Sequence, residues 1–288
     1  MSEPKDLTQL FESHRSHLRA VAYRMLGSAT EADDAVQEAW LRLNGSNTSE
    51  VANLGGWLTT VVARVCLDIL RSRRREEALD AEVVDSIADS KSDPEQETLL
   101  ADSVGVALLV VLDTLSPAER VAFVLHDVFD LPFDEIAPIV DRTPDAARQL
   151  ASRARRRVRG ERTSNADFQR QRVAVDSFLA ALRAGDVEGL LAVLDPDVLV
   201  RMDAAPGAPP REFRGAANWA RGATAAFSRF APVVQPAVVN GTVGLVIAPG
   251  GKLSRALTFT VANGKITQVE IITDRDRLQQ LDLSVLDQ

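Results

Sequence analysis

Seven arginines and one acid, Glu161, occupy the stretch from Arg148 to Arg162. A guanidinium reaches a phosphate, or the O6/N7 edge of guanine, with paired N–H donors. Arg148, Gln149, Ser152, Arg153 and Arg156 fall on one side of a helix here, while Ala147, Leu150, Ala151, Ala154 and Val158 recur at three- and four-residue spacing on the other. One face is built for packing and the other for a polar groove. For the arginines alone, a solvated helix end favoured by the C-terminal dipole is the plain alternative. The preceding string LSPAERVAFVLHDVFDLPFDEIA makes the whole a helix-turn-helix pattern. Thr143 is placed to cap its second helix, and Pro144 suits the first turn, where a missing N–H costs nothing. Pro138 is expected to kink or end the helix before it, since it cannot donate to the residue-134 carbonyl. These residues make DNA the first partner to consider.

Residues suited to covalent or metal chemistry are sparse. The three histidines, His14, His17 and His126, lack zinc-ligand spacing. The single cysteine, Cys66, lies among Val61, Val62, Val65, Ile69 and Leu70, which predicts a buried structural thiol. Residues 166–288 hold no Tyr, His or Cys, so a base or electrophile there would have to come from Arg201, Asp203, Trp219, Asn240 or Asp274, whose spacing specifies no reaction. We expect no enzyme, no metal and no cofactor. Arg201, Asp203, Trp219 and Asp274 remain candidates for a small-molecule pocket or a regulatory surface.

The net charge of −8 is unfavourable for nucleic acid until it is located. Residues 78–112 carry 1 basic and 8 acidic side chains, whereas 1–77 carry 10 and 11, and the stretches 113–165 and 166–288 are balanced. The acidic excess belongs to a linker, so whole-chain charge says little about local affinity for phosphate. With 288 residues and 45% hydrophobic content the chain is expected to fold as several domains. No run approaches the roughly 18 apolar residues of a membrane span, and the start MSEPKDLTQL lacks a signal-peptide core. A cytoplasmic location without membrane partners is the expectation.

The elements that position these residues are legible in outline. Leu10, Phe11, His14, Leu18, Val21, Ala22, Met25 and Leu26 form a helical stripe that stops at Gly27. Thr30 with Asp33 predicts a capping box for a second helix, whose buried stripe is Val36, Ala39, Trp40 and Leu43. Its outer face presents Asp33, Asp34, Gln37 and Glu38, either a solvated acidic face or a docking surface for a basic partner. A third helix is expected from Trp57 to about Arg75, ending in RSRRR.

The ordered set TEADDAVQEAWLRL, GGWLTTVVARVCLDILRSRRR, acidic linker, LSPAERVAFVLHDVFDLPFDEIA and RQLASRARRRV resembles the extracytoplasmic-function group of bacterial sigma factors, within the sigma-70 family, over about residues 10–160. The resemblance implies a region 2 domain at 1–77, an acidic linker leading into the next helical domain at 78–112, and a region 4 helix-turn-helix at 113–165. By the same resemblance Asp33, Asp34, Gln37 and Glu38 contact the core RNA polymerase clamp. Asn44 and Asn47, in the loop from Asn44 to Gly56, lie where an unstacked minus-10 base is captured. Trp57, Arg64, Asp68, Arg71 and Arg74 face the minus-10 strand, and Arg148, Gln149, Ser152, Arg153 and Arg156 read minus-35. Loop pocket, aromatic ring and arginine together suit melted DNA, whose bases expose their edges and faces.

The remaining residues, 166–288, predict a helix with Phe168, Val175, Phe178, Leu179 and Leu182 buried, stopped by Gly185, then a short helix with Leu190, Leu191 and Leu194, and another from Ala216 to Phe230. Strand-like runs follow near 233–239, 243–248, 254–262 and 266–273, separated by Asn240-Gly241, Pro249-Gly250-Gly251 and Asn263-Gly264. This order resembles a SnoaL-like/NTF2-like α+β cone, an extension found on sigma factors of the actinobacterial SigJ type. The linker lacks a WLPEP-like motif, and TDRDRL stands where that type has an NPDKL-like tail, which points to a sister subgroup. The fold class is therefore multidomain: two all-α sigma domains followed by an NTF2-like cone. The resemblance implies an alternative transcription initiation factor that binds core RNA polymerase, recognises minus-35 and minus-10 promoter elements and helps open DNA. Because the extension is joined directly to the minus-35 reader, we expect it to modulate activity in cis, in place of a separate anti-sigma protein. The competing reading is a ligand-sensing helix-turn-helix regulator acting without a sigma role.

Overall fold

The computed structural model describes residues 4–45, 53–80, 105–159, 166–203, 210–227 and 233–286. The chain divides into two compact units, one comprising Met1–Val104 and Leu112–Arg155, the other Gly105–Val111 and Arg156–Gln288.

The first unit is all helical. Three helices, α1 (Pro4–Leu26), α2 (Ala29–Gly45) and α3 (Leu54–Asp80), bury Phe11, Leu18, Val21, Met25, Val36, Leu43, Leu58, Val62 and Leu67 against one another. Gly27 ends α1 at φ 74°, a left-handed position that glycine takes without steric cost. Two expectations need correction here. Leu10 is 43% exposed rather than part of the core stripe. The cap of α2 is Ser28, whose hydroxyl accepts from the Glu31 N–H at 3.4 Å, not Thr30. With the cap two residues earlier than expected, Asp33 lies inside the helix and binds Arg19 instead. Helix α3 also starts earlier than Trp57, because Asn53 Oδ1 accepts the Gly56 N–H at 3.0 Å and caps the turn.

The same unit continues through α4 (Val106–Asp113), α5 (Pro117–Phe123) with a π-turn at Val124–Val128, α6 (Phe133–Ile136) and α7 (Pro144–Arg159). Ser116 and Glu119 form a reciprocal capping box at the start of α5. Helix α6 is a single turn that stops two residues before Pro138, as the missing N–H requires. Only the end of α4 belongs here. Its beginning lies with the second unit, where Gln235 Oε1 accepts the Ala107 N–H at 3.3 Å.

The second unit packs α8 (Ala166–Ala184), α9 (Val187–Val193) and α10 (Ala216–Phe227) on a curled seven-stranded sheet, the α+β cone expected from the element order. The strands are β1 (Leu194–Met202), β2 (Arg211–Arg214), β3 (Val234–Val239), β4 (Thr242–Ile247), β5 (Arg255–Ala262), β6 (Lys265–Ile272) and β7 (Leu283–Val285), with α11 (Arg275–Gln279) before the last. They lie in the order β2-β1-β6-β5-β4-β3-β7, and β1 runs parallel to β6. Both Asn-Gly pairs make hairpin turns with two successive positive φ values, 50° and 78° at Asn240-Gly241, 52° and 74° at Asn263-Gly264. Strands β1, β2 and β7 escape the sequence pattern. Pro196 interrupts β1, its ladder with β6 shifts between Leu194 and Leu199, and all four residues of β2 are exposed. Leu194 consequently opens a strand instead of closing a helix.

Candidate nucleic-acid interface

Helix α7 separates its two faces as the spacing predicts. Ala147, Leu150, Ala151, Ala154 and Val158 are buried, and Arg148, Gln149, Ser152, Arg153 and Arg156 are exposed. Thr143 Oγ1 accepts the Ala146 N–H at 3.3 Å, so the cap is the expected one. The exposed arginines are not all unrestrained. Arg148 donates to Asp145 Oδ1 at 2.6 Å and lies 5.3 Å from the Phe133 ring centre, and Arg153 is 3.3 Å from Glu119 Oε1. Each contact restrains a long side chain that is still more than half exposed. Arg155, absent from the sequence-derived set, donates to Asp127 at 2.5 Å and ties α7 to the π-turn. Its half-inward position on the helix was the available signal.

On α5, Arg120 is buried, donates to Asp113 Oδ1 at 2.9 Å and lies close enough to Arg73 and Cys66 of α3 to feel them electrostatically. Burial pushes its pKa down, and Asp113 draws it back up. The nearby Cys66 thiol is fully enclosed and pushed up to about 12 by the same loss of water, so it stays an inert thiol.

Along α3, Arg64, Asp68 and Arg74 are exposed, and Trp57 and Arg71 are half-buried. Arg64 donates to the Pro138 carbonyl at 3.3 Å, and Arg71 approaches Asp68 at 4.0 Å and Asp141 at 3.6 Å. Two of the arginines expected on the minus-10 strand are therefore engaged by the turn that precedes α7. Arg73, which faces the other way, anchors α3 by donating to the Leu26 carbonyl at 3.0 Å and pairing with Glu31. Asn44 is exposed at the end of α2, whereas Asn47 lies outside the described residues. On α2, Asp33 pairs with Arg19 at 2.7 Å and Glu38 with Arg42 at 3.0 Å, while Asp34 and Gln37 face outward.

The four candidate residues of the second unit do not converge on one cavity. Trp219 stacks on Phe178 at 5.7 Å, with Phe259 edge-on to Phe178 at 5.3 Å, so these rings fill space between helices and sheet. Arg201 pairs with Glu212 across the exposed β1–β2 edge at 2.8 Å. Asp203 and Asp274 are neighbours with structural duties. Asp203 accepts from the Thr273 N–H and hydroxyl, both at 2.6 Å, and from the Asp274 N–H at 3.2 Å, and Asp274 caps α11. A separate open cavity of about 410 Å³ lies at the hairpin tips, lined by Asp167, Arg170, Gln171, Thr242, Thr260 and Asn263 among others, and by none of those four. Among the described residues no group of three or more His, Cys, Asp or Glu is arranged to hold a metal, and no helix is long and apolar enough to cross a membrane.

Comparison with known proteins accounts for both halves of this arrangement. The family described as sigma-70 region 2 matches residues 10–76, and that described as sigma-70 region 4 matches residues 105–158. The ECF RNA polymerase sigma factor SigJ of Mycobacterium tuberculosis is 37% identical over 93% of this chain and 91% of its own length. The probable ECF RNA polymerase sigma factor SigI of the same species is 33% identical over 98% of each chain. The crystal structure of the M. tuberculosis SigJ superposes with a TM-score of 0.45 at 34% identity, covering 94% of this chain and 97% of that one. Regions 2 and 4 stand in order, and similarity to SigJ and SigI runs on through the C-terminal unit, so this chain belongs to the extracytoplasmic-function sigma factors, the initiation factors of bacterial transcription.

Proposed function

We propose that this sigma factor binds core RNA polymerase through the α2 face of Asp34 and Gln37, flanked by Asp33 and Glu38. It reads the minus-35 element with α7 and captures the minus-10 strand along α3. The observation that carries the reading is α7 itself. Its apolar face is wholly buried, and Arg148, Gln149, Ser152, Arg153 and Arg156 stand together on the other, within reach of base edges and phosphates in a major groove. Exposed Arg64 and Arg74, with half-buried Trp57 and Arg71, supply the charge and the ring that an unstacked strand needs.

The second unit acts in cis on this activity. Support comes from α4, whose first turn is held by Gln235 of β3 and whose last residue, Asp113, accepts from Arg120 of α5. A change at the sheet thus has a covalent and hydrogen-bonded route to α5, the helix whose Glu119 pairs with Arg153 of the reader. The filled space around Phe178, Trp219 and Phe259 favours a regulatory surface over a ligand cavity there.

Promoter-specific transcription by core polymerase with a genomic promoter library tests the reading. Transcripts initiating from a shared two-part motif are expected with the full chain. Operator-like duplex binding without polymerase, and no transcription with it, would instead describe an independent helix-turn-helix regulator. Equal output from the full chain and from residues 1–165 would remove the cis role.

A further inference from the structure

The C-terminal end of α3 and the turn leading into α7 enclose a shallow cavity of about 810 Å³. Arg71, Arg74 and Arg75 line it from α3 and Arg142 from the turn, over a floor of Ser116, Pro117 and Ala118. Like charges gathered around one concavity repel, and among the described residues the carboxylates at ion-pairing distance serve one of them. Asp141 and Asp68 both approach Arg71, at 3.6 and 4.0 Å. Arg75 donates to the Arg71 carbonyl at 3.3 Å and Arg142 to the Asp141 carbonyl at 2.8 Å, which are neutral acceptors. Among the described residues Arg74, Arg75 and Arg142 have no carboxylate at ion-pairing distance.

We propose that this cavity binds a compact polyphosphate group, two or three phosphates in a chain, free or esterified. Guanidinium forks match phosphate oxygens in pairs, and a chain of phosphates places several negative charges at the spacing of neighbouring arginines. No aromatic ring is among the described residues that line the cavity, so recognition rests on the phosphates and not on a stacked base. The site takes arginines from both DNA-reading segments of the first unit. A bound polyphosphate therefore cross-links α3 to the turn before α7 and occupies Arg71 and Arg74. Its competition with the minus-10 strand rests on the promoter reading above, whereas binding itself does not.

Calorimetric titration of inorganic tripolyphosphate into the full chain, without polymerase or DNA, separates the two. Saturable one-to-one binding is expected, weakening as salt is raised because the guanidiniums are open to solvent. The double variant Arg75→Gln/Arg142→Gln, at residues outside the proposed promoter contacts, should weaken it by about tenfold or more. Arg211→Gln/Arg214→Gln on the exposed strand β2 should leave it unchanged. Circular dichroism confirms that each variant folds. A nucleoside triphosphate that binds as tightly as tripolyphosphate supports recognition of the chain in esterified form, and tripolyphosphate binding alone supports the free form. Unsaturable binding, or equal losses in both double variants, overturns the site. Single-stranded DNA binding that depends on Arg75 and Arg142, with no saturable tripolyphosphate binding, also overturns it and returns the cluster to nucleic acid.

Discussion

Arg120 is 3% exposed, and its Nε finds no hydrogen-bond acceptor among the described residues. A buried charge held by one half-exposed partner is costly to orphan and cheap to replace by an apolar chain of similar volume. Arg120→Met is therefore expected to change stability by no more than about 1 kcal/mol, whereas Asp113→Ala should cost about 3 kcal/mol in urea unfolding. Asp203 presents the opposite case. Partial burial raises its pKa, but hydrogen bonds from Thr273 and Asp274 and the charge of Arg277 outweigh this and hold it below the usual 3.8. The stabilisation is fully present above that unfolded value and is lost as the pH falls through the lower folded one. Asp203→Asn should flatten this acid limb in a pH series of thermal melts, since the amide does not titrate. At the DNA face, Arg148→Ala is expected to lose about 1–3 kcal/mol of minus-35 discrimination, read by binding to single-base promoter variants. A loss that is uniform across variants and scales with salt would make Arg148 a phosphate contact.

Helices with sharp apolar periodicity were legible from the residues alone, and the elements set by partners were not. The stripe of α7, the stops at Gly27 and Gly185 and both Asn-Gly turns lie where local chemistry puts them. The π-turn at Val124–Val128 and strand β1 arise from neighbours. Strand β1 takes its ladder from β2 on one side and, on the other, from β6, some seventy residues later. The sheet also fixes positions that look incidental. A Cβ on Gly244 would lie 2.5 Å from the Leu257 carbonyl oxygen and 2.9 Å from a Val239 methyl. Gly244→Ala should destabilise the second unit by about 1–3 kcal/mol, with the loss of amide protection confined to its sheet in hydrogen exchange.

At the scale of the whole chain, α4 is shared between the two units, so regulation in cis has a specific handle. Gln235→Leu removes the acceptor for the Ala107 N–H without touching any DNA-facing side chain. If the second unit acts through α4, this single change should shift promoter output in the same direction as truncation at residue 165, measured by transcription with core polymerase. Unchanged output would place the cis effect elsewhere or remove it. Opposing charge is arranged on the same scale. The overall −8 belongs chiefly to 78–112, while arginine clusters on α3 and α7 keep local positive potential.

The sequence by itself determined the main helices and the arginine face of α7, which follow from periodicity and capping acting within a few turns, while the order of domains was legible through resemblance to a family. Tertiary structure decided which arginines become anchors. Arg155 and Arg73 carry the same guanidinium as Arg153 and Arg74, yet Asp127, Glu31 and the Leu26 carbonyl hold them against the fold. It also separated the four candidate residues of the C-terminal unit: Trp219 packs from α10 into the aromatic core, Arg201 pairs at the β1–β2 edge and Asp203 joins a hydrogen-bond network with Thr273. Local sequence sets which chemistry a residue carries, but the direction it faces is fixed by contacts far along the chain.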